Sequence, residues 1–513
     1  MTPSRIALAA TVALSLAVPV VARGQMAADS WARPAGPAPQ AVTAAEHAGR
    51  RAALAGAMGD GVLLLLGEPE PETDYATFAQ NAAFRYLTGV TEPGAALVVE
   101  KRAGRVRETL FVQARDPSRE MWEGVRMGPA GAQAATGIPA RRADRLRPVL
   151  DSLLASRRTL YTLSPRPEDA VAGSGLRPDQ RLLDDLSTAH PAMQVVSLDG
   201  AFARLRGVKS PAELDMVRRA VVVTTLALRE GMRAVRPGMA EFEAQALVEA
   251  TFRRNGAERP SFASIVGSGP NSTTLHYNRA DRTMGAGEVL VMDVGASYRG
   301  YAADVTRTLP VGGTFTPAQR DLYAVVLQAQ KAAEERAGPG ATWTELDAAA
   351  NGAIAGGLAR LGLIDAPEAT YRCGPKAGAL CPQYQLYYPH GLGHGIGLDV
   401  HDPDASYFGR FTVGSAFTIE PGVYVRGDVL AYLADVPENR ALRARLQPAV
   451  DRYRDTGIRI EDDYFVTAEG VERVSAGVPR EMDQVEALMR QESPWNAMRH
   501  AEVVDWYRST APR

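Results

Sequence analysis

The stretch HGLGHGIGLDVHD, residues 390–402, places three of the chain's seven histidines within thirteen residues and separates them with glycines. His390 and His394 have the i, i+4 spacing that puts two zinc ligands on one face of a helix. A helix is disfavoured here, because four interior glycines would together cost about 4 kcal/mol relative to alanine. We predict an extended or looping backbone that closely approaches a ligand or another strand. A glycine-rich surface turn with unrelated histidines is the alternative interpretation.

Residues 288–311, EVLVMDVGASYRGYAADVTRTLPV, contain two β-rich runs on either side of SYRG, a pattern typical of an antiparallel hairpin. With the turn centred between Tyr298 and Arg299, Asp293 would face Asp304 across the two strands. Facing Cβ atoms lie about 4.5 to 5.5 Å apart, so two like charges there are destabilising unless a cation lies between them. Because Asp293 shares a strand face with two valines, we expect it to point inward. The pair therefore predicts a divalent metal site, with solvent-facing aspartates as the alternative.

Two further acids lie in strand-like apolar runs, Glu420 in AFTIEPGVYV and Glu461 in GIRIEDDYFV. A buried carboxylate without a partner is costly, so each acid needs a cation. Arg459 shares a strand face with Glu461, and it either neutralises that acid or orients a carboxylate that binds metal. Together with one histidine of the opening stretch, the set offers one imidazole and four carboxylates. Such a set fits two divalent metal ions, with manganese favoured by ligand hardness and zinc or cobalt as alternatives.

These motifs occur in the order seen in the pita-bread metallopeptidases. LHYN (275–278), MDVG (292–295), ADVTRT (303–308), the opening stretch, IEPGVY (419–424) and RIEDD (459–463) carry the resemblance. The chain resembles most the aminopeptidase P (Xaa-Pro aminopeptidase) and prolidase branch. Further similarity lies in NAAFRYLTGVTEPGAALVV (81–99), RDPSREMWEGVRMG (115–128) and VKSPAELDMVRRA (208–220), so that it extends from about His47 to Val474.

The resemblance implies an α/β N-terminal domain of the creatinase/aminopeptidase P type, followed by an α+β pita-bread catalytic domain with an internal pseudo-two-fold duplication. It implies five metal ligands, which are Asp293, Asp304, His394, Glu420 and Glu461. Asp304 and Glu461 would bridge the two ions. Three histidines would line the substrate site, namely His276, His390 and His401. Arg459 would orient a ligand carboxylate.

The implied activity is release of the N-terminal residue from peptides with proline at position two, by a hydroxide that two metal ions activate. Glu420 would carry a proton to the leaving nitrogen, and His401 or His390 would stabilise the developing oxyanion. A prolidase restricted to Xaa-Pro dipeptides is the first alternative. A catalytically inactive binding protein and a metal-independent hydrolase of the same fold fit less well, because all five ligand positions hold suitable residues. Relatives of this kind often associate, so a homo-oligomer is also implied.

Two similar joints, PGMAEFEA (237–244) and PGATWTELDAA (339–349), each place Pro-Gly before an acidic-apolar helix start. They suggest an internal repeat of about a hundred residues. The predicted organisation is a signal peptide (1–24), a flexible leader (25–46), an N-terminal α/β domain (47–200), a pita-bread domain (201–475) with a helical insert (427–457), and a C-terminal helical extension (476–513).

Composition sets limits on partners and location. A net charge of -2, with no basic surplus, argues against a nucleic-acid partner. The apolar run near the N-terminus, followed by small residues, predicts cleavage near Gly24 and export to the periplasm or beyond, with no membrane attachment afterwards. An uncleaved anchor is the alternative, although Pro19 interrupts a run that is short for a bilayer. Cys373 and Cys381 can form a disulfide in an oxidising compartment; a thiol ligand or nucleophile is the weaker reading.

Overall fold

The computed structural model describes residues 41–71, 77–156, 158–163, 178–405, 408–498 and 503–504. The predicted signal peptide and most of the predicted leader lie outside these residues. The first helix begins at Ala44, where Thr43 caps it by accepting a hydrogen bond from the backbone N–H of Glu46. This start falls inside the segment predicted to be flexible, so helical structure begins earlier than we expected.

The first part of the chain forms a mixed six-stranded sheet in the order β4-β3-β2-β1-β5-β6. The strands are β1 (Gly61–Leu66), β2 (Ala96–Arg102), β3 (Arg105–Val112), β4 (Ala140–Arg142), β5 (Thr159–Thr162) and β6 (Gln194–Ser197). The first three strands pair antiparallel, whereas β4, β5 and β6 run parallel to their neighbours. The helices are α1 (Ala44–Gly56), α2 (Ala82–Thr88), α3 (Pro117–Glu123), α4 (Gly128–Thr136), α5 (Leu146–Leu154), α6 (Pro178–Ala189) and α7 (Asp199–Arg206).

The region from Gln133 to Ala155 is divided between two helices rather than forming one. Gly137, at φ 74°, ends α4, and the short strand β4 then separates α4 from α5. Glycine adopts this left-handed conformation without the steric cost that a Cβ brings, which is why it commonly ends helices.

The second part of the chain repeats one helical plan. Its helices are α8 (Pro211–Ala234), α9 (Glu241–Arg254), α10 (Pro317–Glu334), α11 (Trp343–Arg360), α12 (Pro437–Tyr453) and α13 (Met482–Met489). Both α8 and α10 begin with a capping box that precedes proline, formed by Ser210 with Glu213 and by Thr316 with Gln319. The packed pairs α8–α9 and α10–α11 are each followed by strands, which is the arrangement that a duplicated unit predicts.

The strands of this part form small antiparallel sheets around two apolar clusters, a large one and a smaller one that includes Val217, Ile396 and Phe465. They are β7 (Arg259–Pro260), β8 (Ile265–Ser268), β9 (Val289–Val294), β10 (Ala296–Tyr298), β11 (Tyr301–Ala302), β12 (Val305–Pro310), β13 (Thr370–Cys373), β14 (Ala379–Pro382), β15 (Ala416–Ile419), β16 (Gly422–Val425), β17 (Thr456–Arg459), β18 (Asp462–Thr467) and β19 (Gly470–Arg473). Two three-stranded sheets, β12-β9-β8 and β15-β18-β19, pack against the two helix pairs, so strands from both halves meet in the middle of the unit.

The hairpin register differs from the predicted one. Asp293 pairs with Thr306 rather than with Asp304, because the turn is formed by Arg299 and Gly300, one position later than we expected. Both turn residues have positive φ, 49° and 81°, as two-residue hairpin turns of the type I′ class require. Asp304 nevertheless lies two residues before Thr306, and alternation leaves it on the same face as Asp293, as a diagonal neighbour.

The opening histidine stretch forms no helix, as predicted; its first part lies beside β15, and residues 397–401 form a series of bends. The N–H of Thr418 donates to the carbonyl of His394 at 2.8 Å, and the N–H of Glu420 donates to the carbonyl of Leu392 at 2.7 Å. Gly393 lies between these bonds, and a Cβ at this position would collide with the carbonyl oxygen of Thr418. The glycines therefore permit the close backbone approach that orients His394.

The remaining predicted segments are also helical or cross-linked. The 427–457 region contains a 3₁₀ turn (Val429–Tyr432) and α12, and its four leucines, 430, 433, 442 and 446, are buried. A disulfide joins Cys373 to Cys381 within the β13–β14 hairpin. The C-terminal region contains α13 and a 3₁₀ helix (Pro494–Met498). Within the described part of the chain, we find no helix with the length and apolar character needed to cross a membrane.

Candidate metal centre

The centre of the second unit brings together residues that are far apart in the sequence. Asp293 is the penultimate residue of β9, Asp304 precedes β12, and Glu461 lies between β17 and β18. All three are buried, with 7%, 5% and 1% of their surface exposed. Their carboxylates come from both halves of the duplicated unit, and so the site depends on how the halves pack.

His394 points a ring nitrogen into this cluster. Its Nδ1 lies 3.0 Å from the carbonyl oxygen of Gly395, so Nδ1 carries the proton and Nε2 presents a lone pair. Nε2 lies 3.6 Å from an oxygen of Asp304, 3.6 Å from one of Glu420 and 3.9 Å from one of Glu461. A backbone carbonyl therefore sets the tautomer that a metal ligand needs.

Three of the carboxylates each have one buried oxygen with no hydrogen-bond partner. These atoms are Asp293 Oδ1, Asp304 Oδ1 and Glu461 Oε1. On two of these residues the second oxygen is bonded: Asp293 Oδ2 accepts from Arg459 at 2.6 Å, and Glu461 Oε2 accepts from Thr306 at 2.8 Å. The protein thus holds these two acids by one oxygen and leaves the other bare.

Burial and mutual repulsion disfavour charge on these acids. Burial raises the pKa of both Asp304 and Glu461 well above the ordinary carboxyl range, and neighbouring carboxylates raise them further. Burial likewise raises the pKa of Glu420 to about 8, although Arg459 opposes that shift. The pKa of His394 is lowered, chiefly by burial. A divalent cation reverses this balance, because it stabilises the ionised carboxylates and the neutral imidazole.

The donor set fits a divalent metal ion. Ligand atoms of Asp304, His394 and Glu461 all lie within 4.8 Å of one another. Atoms that share one ion at about 2.0 to 2.2 Å can lie at most about 4.4 Å apart, so small side-chain movements complete the coordination. The three unpartnered carboxylate oxygens also favour a bound cation, since a buried polar atom without a partner is costly.

Arg459 binds Asp293 rather than Glu461, although the sequence left both roles open. Its guanidinium donates to Asp293 and also to the hydroxyl of Tyr424, at 2.9 Å. Tyr424 and Thr306 were not singled out from the sequence. Thr306 lies two residues after Asp304, on the same strand face, so the sequence could have placed it near the metal ligands. Nothing in the sequence pairs Tyr424 with Arg459.

His390 uses both ring nitrogens within the protein. Nδ1 donates to the carbonyl of Gly391 at 2.8 Å, and Nε2 accepts from the hydroxyl of Tyr424 at 2.9 Å. Burial lowers the pKa of His390 to about 4, so the ring is neutral near pH 7. Its Nδ1 also lies 4.0 Å from Glu420. The ring is thus firmly oriented at the edge of the cluster.

The other two candidate histidines are exposed beside the cluster. The ring of His401 lies 4.3 Å from that of His394, centre to centre. His276 influences the pKa of His390 electrostatically, and the residue before it, Leu275, accepts a hydrogen bond from Arg459 at 3.3 Å. Every candidate residue predicted from the sequence therefore lies in or beside one site.

Comparisons with known proteins agree with this architecture. The chain matches metallopeptidase family M24 over residues 215–468 and the aminopeptidase P N-terminal domain over residues 47–161. It is 32% identical over 454 residues to the Xaa-Pro aminopeptidase of Escherichia coli (strain K12), covering 86% of this chain and 96% of that relative.

Solved structures give the same result. Proline aminopeptidase P II from Yersinia pestis superposes with a TM-score of 0.72 at 32% identity, covering 87% of this chain and 99% of that one. Zinc-substituted E. coli aminopeptidase P in complex with product superposes with a TM-score of 0.71 at 29% identity, covering 88% and 99%. The likeness extends over both parts of the chain.

Proposed function

Because the chain belongs to metallopeptidase family M24 and carries an aminopeptidase P N-terminal domain, we propose that it is a metal-dependent Xaa-Pro aminopeptidase. It releases the N-terminal residue from peptides with proline at position two. The predicted family and fold class are confirmed by these matches. One observation supports the function most directly: the bare carboxylate oxygens and His394 converge in a chain that covers nearly the whole length of a relative with that name.

Five residues would hold the metal, namely Asp293, Asp304, His394, Glu420 and Glu461. Four carboxylates and one imidazole would suit two divalent ions. Oxygen-rich ligation favours manganese, whereas a relative crystallised with zinc keeps that ion among the alternatives. When bound, such ions activate water for attack and polarise the carbonyl to be cleaved.

Glu420 is suited to carry a proton between water and the leaving nitrogen. Its side chain is 18% exposed, compared with 10% for Asp293, 7% for Asp304 and 2% for Glu461. It is thus the ligand carboxylate most open to a substrate. Its oxygens lie within 4.0 Å of His390 and 3.6 Å of His394, so a proton held there remains close to the reacting groups.

The histidines divide the remaining work. Because His401 is exposed and its ring lies 4.3 Å from that of His394, we assign stabilisation of the developing oxyanion to His401. His390 shapes and orients the pocket wall next to Glu420. His276, which is exposed in the segment that follows the 3₁₀ turn Gly269–Thr273, contacts the peptide. Arg459 and Tyr424 fix the positions of Asp293 and His390 without meeting the substrate.

Export remains part of the proposal. The N-terminal pattern supports a cleaved signal peptide, and the Cys373–Cys381 disulfide suits an oxidising compartment. Fractionation of cells that express the full chain, with N-terminal sequencing of the product, tests this. Recovery of protein retaining residues 1–24 in the reducing compartment would contradict it.

Peptide digestion tests the activity. The purified protein is stripped of metal, reconstituted with manganese, zinc or cobalt, and incubated with an Xaa-Pro-Pro peptide, an Xaa-Ala-Pro peptide and a Gly-Pro dipeptide. We expect release of the first residue from Xaa-Pro-Pro, none from Xaa-Ala-Pro, and dependence on added metal. Exclusive cleavage of the dipeptide would instead identify a prolidase, and metal-independent cleavage would overturn the mechanism.

A further inference from the structure

Glu241, the first residue of α9, is a completely buried carboxylate outside the metal centre. Its Oε1 accepts hydrogen bonds from the backbone N–H of Ser268 at 2.6 Å, the hydroxyl of Ser268 at 2.7 Å and the side-chain amide of Asn271 at 3.1 Å. Its Oε2 accepts from the hydroxyl of Tyr277 at 2.8 Å and the N–H of Arg282 at 3.1 Å. One carboxylate therefore receives five short hydrogen bonds.

All five donors belong to the segment 268–282. This segment contains a 3₁₀ turn (Gly269–Thr273), and then neither helix nor strand as far as Arg282. It consequently lacks a backbone ladder that would fix its shape. The backbone N–H of Glu241 also donates to the carbonyl of Arg282 at 2.9 Å, so both ends of the segment are tied to the same residue.

The same segment forms one wall of the substrate site. Its Ser272 hydroxyl accepts from the N–H of Gly457 at 2.8 Å, and Leu275 accepts from Arg459, which holds Asp293. His276 follows immediately and is exposed, whereas Tyr277, the next residue, is buried against Glu241. The bond from Tyr277 thus anchors the chain one position away from the histidine.

We propose that Glu241 is a positioning residue that fixes the 268–282 segment in the shape that presents His276 to the peptide. This inference rests on the proposed function, in which His276 contacts substrate. A carboxylate is required because its partners are donors. Glutamine offers only one acceptor oxygen, and its NH₂ group would face donors instead of acceptors. The segment would then lose several of its anchoring bonds together.

The experiment compares full-length, manganese-loaded Glu241→Gln and Tyr277→Phe variants with the wild type. We expect Glu241→Gln to raise KM for an Xaa-Pro-Pro peptide about 10-fold, since an unpartnered buried donor costs enough to weaken binding by that factor. The value of kcat and the bound metal should change little, and amide hydrogen exchange should accelerate within 268–282. Tyr277→Phe removes a hydroxyl that lies 2.8 Å from Glu241 and also 3.0 Å from the carboxylate of Asp281, but it leaves the other bonds to Glu241 in place, so it should show the same changes at smaller size.

Glu243 supplies the matched control, because it lies on the same helical turn and its carboxylate accepts from the N–H of Ala240 in the helix cap. Glu243→Gln should lower the melting temperature without changing KM or exchange in 268–282. In a His276→Ala background, Glu241→Gln should raise KM no further. Normal exchange in the segment, or a full additional loss in that background, would overturn the proposal. Should Glu241→Gln fail to fold, Tyr277→Phe decides by the same criteria.

Failure of the proposed function has a different signature. The metal-loaded wild type would then release no residue from any Xaa-Pro peptide. In that case, faster exchange of 268–282 in Glu241→Gln but not in Glu243→Gln would still establish that Glu241 orders the segment, and equal exchange would refute it.

Discussion

Arg459 donates to Asp293 at 2.6 Å, and the two residues are separated by 166 positions in the sequence. The bond fixes one oxygen of the carboxylate, and the other oxygen is buried without a hydrogen-bond partner. Tyr424 lies on the second arm of the same guanidinium and connects it to His390. Orientation of a ligand by an arginine is a geometric role that a point charge does not reproduce.

Arg459→Lys should therefore weaken metal binding by about 10-fold or more, the range found when a group that orients a ligand is lost. The measurement is competition for manganese against a chelator of known affinity. Arg445→Lys is the control, because Arg445 forms an exposed ion pair with Asp365 at 2.7 Å. Equal affinities for the two variants would contradict the orienting role.

Asp304→Asn tests whether the buried carboxylates exist to hold metal. The metal-free variant should unfold at a higher temperature than the metal-free wild type, because one of several crowded acids is removed. Addition of manganese at about 100 times its Kd should stabilise the wild type by about 2.7 kcal/mol and the variant by almost nothing.

Calorimetric or optical unfolding scans with and without metal provide the data. Asp321→Asn, which alters an ion pair with Arg452 at the surface, should leave the metal-dependent gain intact. A full metal-dependent gain in Asp304→Asn would remove this residue from the ligand set.

Substitution of Asp402 tests whether its buried ion pairs hold the neighbouring His401 in place. The buried cations Arg206 and Lys209 both contact its carboxylate, with the Lys209 ammonium at 3.0 Å. Asp402→Asn should destabilise the protein by about 3 kcal/mol, because it removes the carboxylate charge that lies 3.0 Å from the buried Lys209 ammonium, while Arg206 keeps its pair with Asp399 at 2.8 Å. It should also raise KM, since His401 precedes it in the chain.

The double variant Asp402→Asn with Lys209→Met should recover part of the lost stability, because it removes an unpaired buried cation. Asp435→Asn, at an exposed pair with Arg440, should change the free energy of unfolding by less than about 0.5 kcal/mol. Urea unfolding of all three variants measures these differences. An unchanged free energy of unfolding in Asp402→Asn would refute the stabilising role of its ion pairs.

For the strand residues of the hairpin, the sequence pattern predicted the face of the sheet correctly but not the residue that lies opposite on the neighbouring strand. Alternation placed Asp293 and Asp304 on one face, and this is correct even though the register was wrong. Register depends on which residues form the turn, and the positive φ values of Arg299 and Gly300 are visible only in the structure. A shift of one turn position moves the facing partner by two residues, which preserves the face.

Hydrogen bonds between residues far apart in the chain could not be predicted from the sequence. Motif resemblance indicated metal-binding residues, because ligand chemistry restricts their type. Nothing in PGMAEFEA distinguishes Glu241 from Glu243, although the first is a buried acceptor for five donors and the second caps a helix. Such partners are chosen by packing between segments, and packing is a property of the folded chain.

Alanine substitutions at Gly393 and Gly391 test whether the opening histidine stretch needs glycine for close backbone approach to β15. A Cβ at 393 would meet the backbone carbonyl of Thr418 and the side chain of Trp343, whereas a Cβ at 391 would meet nothing within 4 Å. Backbone atoms paired with the next strand cannot move aside, so Gly393→Ala should cost about 1 to 3 kcal/mol of stability. Gly391→Ala should stay within about 0.5 kcal/mol. Because His394 follows Gly393, the first variant should also lose metal affinity, as measured by chelator competition, while the second retains it. Equal stability and equal metal binding in the two variants would show that close backbone approach is not what the glycine provides.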